Sequence, residues 1–116
     1  MNSLDKVKAI YKALDDKQGI DIKVIDIQGV TVVADYFVIV GGANKNQVQA
    51  LVDNTEDELA KLGCHTTHVE GYQTANWILL DYEDVIVHVF NQEDRLFYDL
   101  ERIWRDGKEV EVEELK

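Results

Sequence analysis

The sequence predicts an α/β fold in which a mixed β-sheet is flanked by helices. Three observations carry that expectation. Apolar residues at three- and four-residue spacing alternate along the chain with short β-branched runs. A strand pattern, a helix pattern and a second strand pattern follow one another from Tyr36 to Glu70. Two further apolar runs, Trp77 to Tyr82 and Val85 to Phe90, are parted only by Glu83 and Asp84.

Each element has its own signal. Leu4, Val7, Ile10, Tyr11 and Leu14 lie on one helical face behind a possible cap at Ser3, so a helix is expected to end near Gly19. Ile20 to Ile27 is rich in Ile and Val with interleaved Asp21, Lys23 and Asp26, the pattern of a strand with one wetter face. Gly29 supplies a turn. Tyr36 to Val40 is continuously apolar and runs into Gly41 and Gly42, which predicts a central strand buried on both faces. Asn44 and Gln47 form a capping box ahead of Val48, Leu51, Val52, Leu59 and Leu62, and Gly63 stops that second helix. His65 to Glu70 reads as a short polar strand, joined to the Tyr36 strand by a right-handed crossover with both strands parallel. Trp77 to Tyr82 and Val85 to Phe90 then form an antiparallel hairpin, which makes the sheet mixed. Asn91 and Asp94 repeat the capping signal, with Leu96, Phe97, Leu100, Ile103 and Trp104 as a third amphipathic helix. After Gly107 the segment KEVEVEELK suits an edge strand, a partner-ordered segment or a loose tail.

Composition narrows the classes of function. At 116 residues one domain is expected, burying roughly two thirds of the surface of its unfolded chain. With 12 basic and 23 acidic residues the net charge is -11, a surface that repels phosphate backbones and attracts basic proteins. Direct nucleic-acid binding is disfavoured. A single Cys64, an N-terminus without an apolar signal-peptide core, and no apolar run near the ~20 residues of a membrane helix point to a protein of the reducing cytoplasm, off the membrane.

Catalytic chemistry is hard to find. Gly41 and Gly42 before a helix N-terminus fit a phosphate cradle, but no nucleotide-binding glycine motif accompanies them and a tight turn is the plainer reading. The paired carboxylates that hold metal in phosphoryl transfer are missing from the following strand, the next acid being Asp53 within a helix. Cys64, His65 and His68 are zinc-ligand types without a second cluster to complete a tetrahedral site. His88 lies mid-strand on the same side as Ile86 and Phe90, where a structural or interface role fits better than that of a base. Asp81 and Asp84 bracket the hairpin turn with no nucleophile placed beside them. No catalytic, cofactor-binding or metal-binding residue is assigned.

Trp77 to Phe90 stands apart, joining Trp77, Tyr82 and Phe90 to aliphatics and to Asp81, Glu83 and Asp84. Two readings stay open: a central hairpin with Trp77 as core, or a hot spot rimmed by acids that takes a basic protein.

Several segments together carry a family resemblance: Ala34-Asp35-Tyr36-Phe37-Val38-Ile39, Gln47-Val48, Glu70-Gly71, Trp77-Ile78-Leu79-Leu80-Asp81-Tyr82, Asp84 through Phe90, and Arg95 followed by Phe97 through Trp104. Over about Leu4 to Trp104 the chain resembles the ribosomal silencing factor family, also called the Iojap family. Members commonly carry glycine where Glu83 stands, and the resemblance stops before the tail. It divides the chain into one domain, residues 1–107, and an acidic tail, residues 108–116.

The resemblance implies a nucleotidyltransferase-like fold that lacks the catalytic carboxylates and acts without turnover or cofactor. It implies binding to the large ribosomal subunit through the fourteenth of its numbered proteins, at the subunit-joining face. Association with the small subunit is then blocked and translation is dampened when nutrients are scarce. Homodimers off the ribosome are also implied. By position, Trp77, Leu79, Asp81, Tyr82 and Asp84 are the expected contacts with the ribosomal protein. The alternatives are a nucleotide-binding enzyme working at Gly41 and Gly42, and a dimeric adaptor for another basic protein.

Overall fold

The computed structural model describes residues 1–92 and 107–115. The third helix expected from Asn91, Asp94, Leu96, Phe97, Leu100, Ile103 and Trp104 falls mainly on residues 93–106, outside the described residues.

Helix α1 runs Ser3–Asp16, and its cap is Asn2, not Ser3: the Asn2 Oδ1 accepts the Asp5 N–H at 2.8 Å. Asparagine caps at least as well as serine, so adjacent candidates compete and the one in extended backbone wins. Strand β1 is Ile20–Asp26, β2 is Tyr36–Gly42 and helix α2 is Lys45–Lys61. At the start of α2 the expected capping box is closed. Asn44 Oδ1 accepts from the Gln47 N–H at 2.9 Å, and Gln47 Oε1 accepts from the Ala43 N–H at 2.6 Å. Strand β3 is only His68–Glu70, shorter than the expected run from His65. Strands β4, Trp77–Asp81, and β5, Val85–Asn91, are the two arms of the hairpin.

The sheet has the order β3-β4-β5-β2-β1-β6, where β6 is Lys108–Glu109. β2 and β5 pair in parallel at its centre, with every other pairing antiparallel, so the sheet is mixed as expected. β3 runs in the same sense as β2 across α2, but β4 and β5 lie between them, so the crossover spans the sheet without joining neighbours. The tail begins as the edge strand β6, beside Ile25 and Asp26 of β1, and ends in a 3₁₀ turn, Val112–Leu115, whose Leu115 is buried in the main core.

Both described helices cover one face of the sheet. Val7, Ile10 and Leu14 of α1 and Val48, Leu51, Val52 and Leu59 of α2 meet Val24, Val38, Val40, Ile78, Leu80, Val87 and Val89. Each such side chain removed from water contributes roughly 1.5–3 kcal/mol, so this layer dominates stability. On the opposite face a smaller cluster joins Ile25, Ile27, Ala34, Ile39, Ile86 and Phe90, with Phe37, Trp77 and Leu79 only partly buried against it.

Candidate functional site

The period of two along a strand decides what β4 displays. Ile78 and Leu80 point into the helix-covered core and are fully buried, whereas Trp77, Leu79 and Asp81 share the opposite face and are each half-buried. Register then sets their neighbours: Trp77 lies opposite Phe90, Leu79 opposite His88 and Asp81 opposite Ile86 of β5, and Phe37 of β2 lies beside Ile86. A tryptophan, a leucine and a carboxylate thus stand in a row on one face.

The Trp77 indole is held from beneath. Its Nε1–H donates to His88 Nδ1 at 3.1 Å, and its ring lies 5.0 Å from that of Phe90 and 5.8 Å from that of His88, centroid to centroid. Phe37 meets His88 edge-on at 5.1 Å and 86°. Burial pushes the His88 pKa down to about 4, so the imidazole is neutral at neutral pH. Because Nδ1 accepts, the proton of the neutral ring belongs on Nε2, a buried atom with no hydrogen-bond partner among the described residues.

Two turns fix the ends of β4. Ahead of Trp77, Gly71 has φ +79, and a Cβ there would collide with the Trp77 carbonyl oxygen, so only glycine fits. The Ala75 N–H donates to the Gly71 carbonyl at 3.0 Å and closes that loop. After Asp81, the Glu83 N–H donates to Asp81 Oδ1 at 2.7 Å and the Asp84 N–H to the Tyr82 carbonyl at 3.0 Å, the tight three-residue bond of a γ-turn. Glu83 at its centre has φ +73, a left-handed backbone that favours glycine.

Lys6 of α1 ties this turn to the body of the protein. Its Nζ donates to Asp84 Oδ1 at 2.7 Å and to the Tyr82 carbonyl at 3.1 Å. Burial works against the Lys6 charge, yet the hydrogen bond and negative charge of Asp84 outweigh it and raise the pKa above the ordinary lysine value. The Asp84 carbonyl in turn accepts the N–H groups of Asp35 and Tyr36 at 2.7 and 3.2 Å.

The five residues expected to touch a partner therefore separate. Trp77, Leu79 and Asp81 lie together on the half-exposed face. Asp84 is beside them but engaged by Lys6. Tyr82 is 1% exposed, inside the helix-covered core, so its ring supports the turn from behind and offers nothing to a partner. Burial holds its hydroxyl pKa well above the ordinary tyrosine range. The sequence reading missed His88 as the indole's acceptor, because the β4–β5 register, not local pattern, brings it there. Lys6 was missed because 76 and 78 residues separate it from the atoms it binds.

The other singled-out groups have structural roles. Gly41 and Gly42 complete β2, and a Cβ on Gly42 would lie 2.7 Å from Val48 Cγ2 and 2.9 Å from the Val48 nitrogen, so this glycine lets α2 approach the strand. His68 is exposed and pairs with Glu70 at 2.8 Å. Among the described residues no three His, Cys, Asp or Glu side chains gather where they would hold a metal ion. No described helix is long and apolar enough to cross a membrane.

Fold and site together define a small α/β protein with a partly exposed aromatic and acidic face on its sheet. A family model described as "Ribosomal silencing factor during starvation" matches residues 1–116. The chain belongs to the ribosomal silencing factor family. It is 39% identical over 107 residues to the ribosomal silencing factor of Bacillus subtilis, covering 92% of this chain and 91% of that one. A crystal structure of a Chromobacterium violaceum protein superposes with a TM-score of 0.86 at 29% identity, over 97% of this chain and 93% of that one. More distantly, a mouse protein named "Mitochondrial assembly of ribosomal large subunit protein 1" is 26% identical over 101 residues, 84% of this chain and 44% of the mouse protein.

Proposed function

We propose that this protein silences translation by binding the large ribosomal subunit through a basic protein of its subunit-joining face, there excluding the small subunit. The observation that carries this reading is the row of Trp77, Leu79 and Asp81 along β4, half-exposed on a chain of net charge -11. Interface hot spots combine a large aromatic anchor with apolar neighbours and a charged rim, and an acidic rim selects a basic protein over ribosomal RNA phosphates. Asp84 and Tyr82 contribute by fixing the turn. The mouse relative's name, which refers to the large ribosomal subunit, agrees in direction.

Inhibition follows occupancy, with no covalent step and no cofactor. Off the ribosome the protein forms a homodimer, and it acts in the cytoplasm. A nucleotide-binding role at Gly41 and Gly42 is less well supported, since Gly42 is packed against Val48 and the Gln47 N–H is taken by Asn44.

Gradient sedimentation with purified subunits tests the reading. The protein is expected to travel with large subunits and to lower the yield of joined ribosomes as its concentration rises. Failure to travel with them at low salt overturns it.

A further inference from the structure

The structure assigns to His88 the role of a positioning residue for docking: through its Nδ1 it fixes the Trp77 indole in the orientation that a partner meets. This inference rests on the proposed docking role of Trp77.

His88 sits in a strand whose neighbours Val87 and Val89 are apolar, and it is itself 6% exposed. An aliphatic residue at this position would serve the sheet and the core without burying polar atoms. The imidazole instead buries Nε2 with no hydrogen-bond partner among the described residues, an arrangement that weakens folding. What it provides in return is an acceptor for the Trp77 N–H at 3.1 Å.

The ring cannot readily turn away. Phe37 packs edge-on against it at 5.1 Å, and Phe90 lies 6.3 Å from it and nearly parallel, at 13°. Phe90 also flanks the indole at 5.0 Å. An indole braced by one hydrogen bond and two rings loses less freedom on binding than one that swings in solvent, and that saving appears as affinity. The bond requires the neutral ring, because a protonated imidazole has no lone pair at Nδ1, and burial keeps the ring neutral.

The test compares wild type with His88→Leu, His88→Asn and Trp77→Ala. It reads the ¹⁵N–¹H resonance of the Trp77 indole and equilibrium binding to purified large ribosomal subunits. Asparagine carries an oxygen on the same carbon that bears Nδ1 in histidine, so His88→Asn preserves an acceptor at that place. His88→Leu is expected to move the indole resonance upfield and to weaken binding by about tenfold, the scale of one side chain's freedom, with both restored in His88→Asn.

Undiminished binding by His88→Leu beside weakened binding by Trp77→Ala overturns the positioning role alone. Undiminished binding by Trp77→Ala overturns the docking reading itself, and the role of His88 with it. Should His88→Leu not fold, His88→Asn decides: affinity that follows the indole resonance supports the role, and affinity kept while the indole bond is lost overturns it.

Discussion

The two sides of strand β4 make an instructive pair. Ile78 and Leu80 are wholly buried under the helices, while Trp77, Leu79 and Asp81, each one residue away, stay half-exposed beside β5. Backbone, strand and register are common to both sets. The difference lies in what each side meets: α1 and α2 close over one, and on the other the apolar side chains keep part of their surface. Burial on the first side holds the fold together, whereas on the second side apolar side chains keep part of their surface, the face proposed above to meet a partner. Stability and the proposed docking role thereby fall on alternate residues of one strand.

That division is breakable, and the largest effect belongs to the covered side. Leu51→Ala, inside the helix-covered core, is expected to cost about 3 kcal/mol in urea unfolding, with ribosome binding by the remaining folded protein unchanged. Coupled loss of affinity in folded protein would show that the two sides are not separable.

Acid acts next, through His88. The unfolded chain takes up this proton near pH 6.5 but the folded protein only near 4, so stability is complete above pH 6.5 and falls as pH drops toward 4. The loss amounts to about 3 kcal/mol from this group, with no further loss below its folded pKa. Urea midpoints against pH should show that slope in wild type and a shallower one in His88→Leu.

A smaller effect sharpens the electrostatic half of the proposed docking face. Asp81→Asn keeps an oxygen to accept the Glu83 N–H but removes a charge, so the fold should be unaffected. Affinity for large subunits should fall about threefold at low salt, mainly through slower association, and the difference should vanish near 1 M salt, where the Debye length is about 3 Å. The smallest effect is a gain. Glu83→Gly relieves the left-handed backbone at φ +73 and should raise stability by about 0.5–1 kcal/mol without altering binding.

How much of this was legible beforehand follows from physical range. Helix α2 was readable because Asn44, Gln47 and the apolar spacing are local signals, and β2 because an unbroken apolar run suits only a strand covered on both faces. The cap of α1 was misplaced by one residue, since Asn2 and Ser3 both qualify and only backbone conformation separates them. Trp77, Leu79, Asp81, Tyr82 and Asp84 were expected at the contact from the resemblance alone, and the burial of Tyr82 was not legible because the turn that folds it inward depends on Glu83 and on Lys6 of a distant helix. The His88 acceptor was illegible for a related reason: it exists only once β4 and β5 have paired in register.

The most direct test of the proposed docking face is the affinity of Trp77→Ala for purified large ribosomal subunits, measured beside wild type after unfolding curves confirm that both are folded. Removing an interface anchor predicts a loss of about 2 kcal/mol, roughly thirtyfold in dissociation constant. Equal affinity in a folded variant would contradict the assignment and place the ribosome-binding surface elsewhere on the molecule.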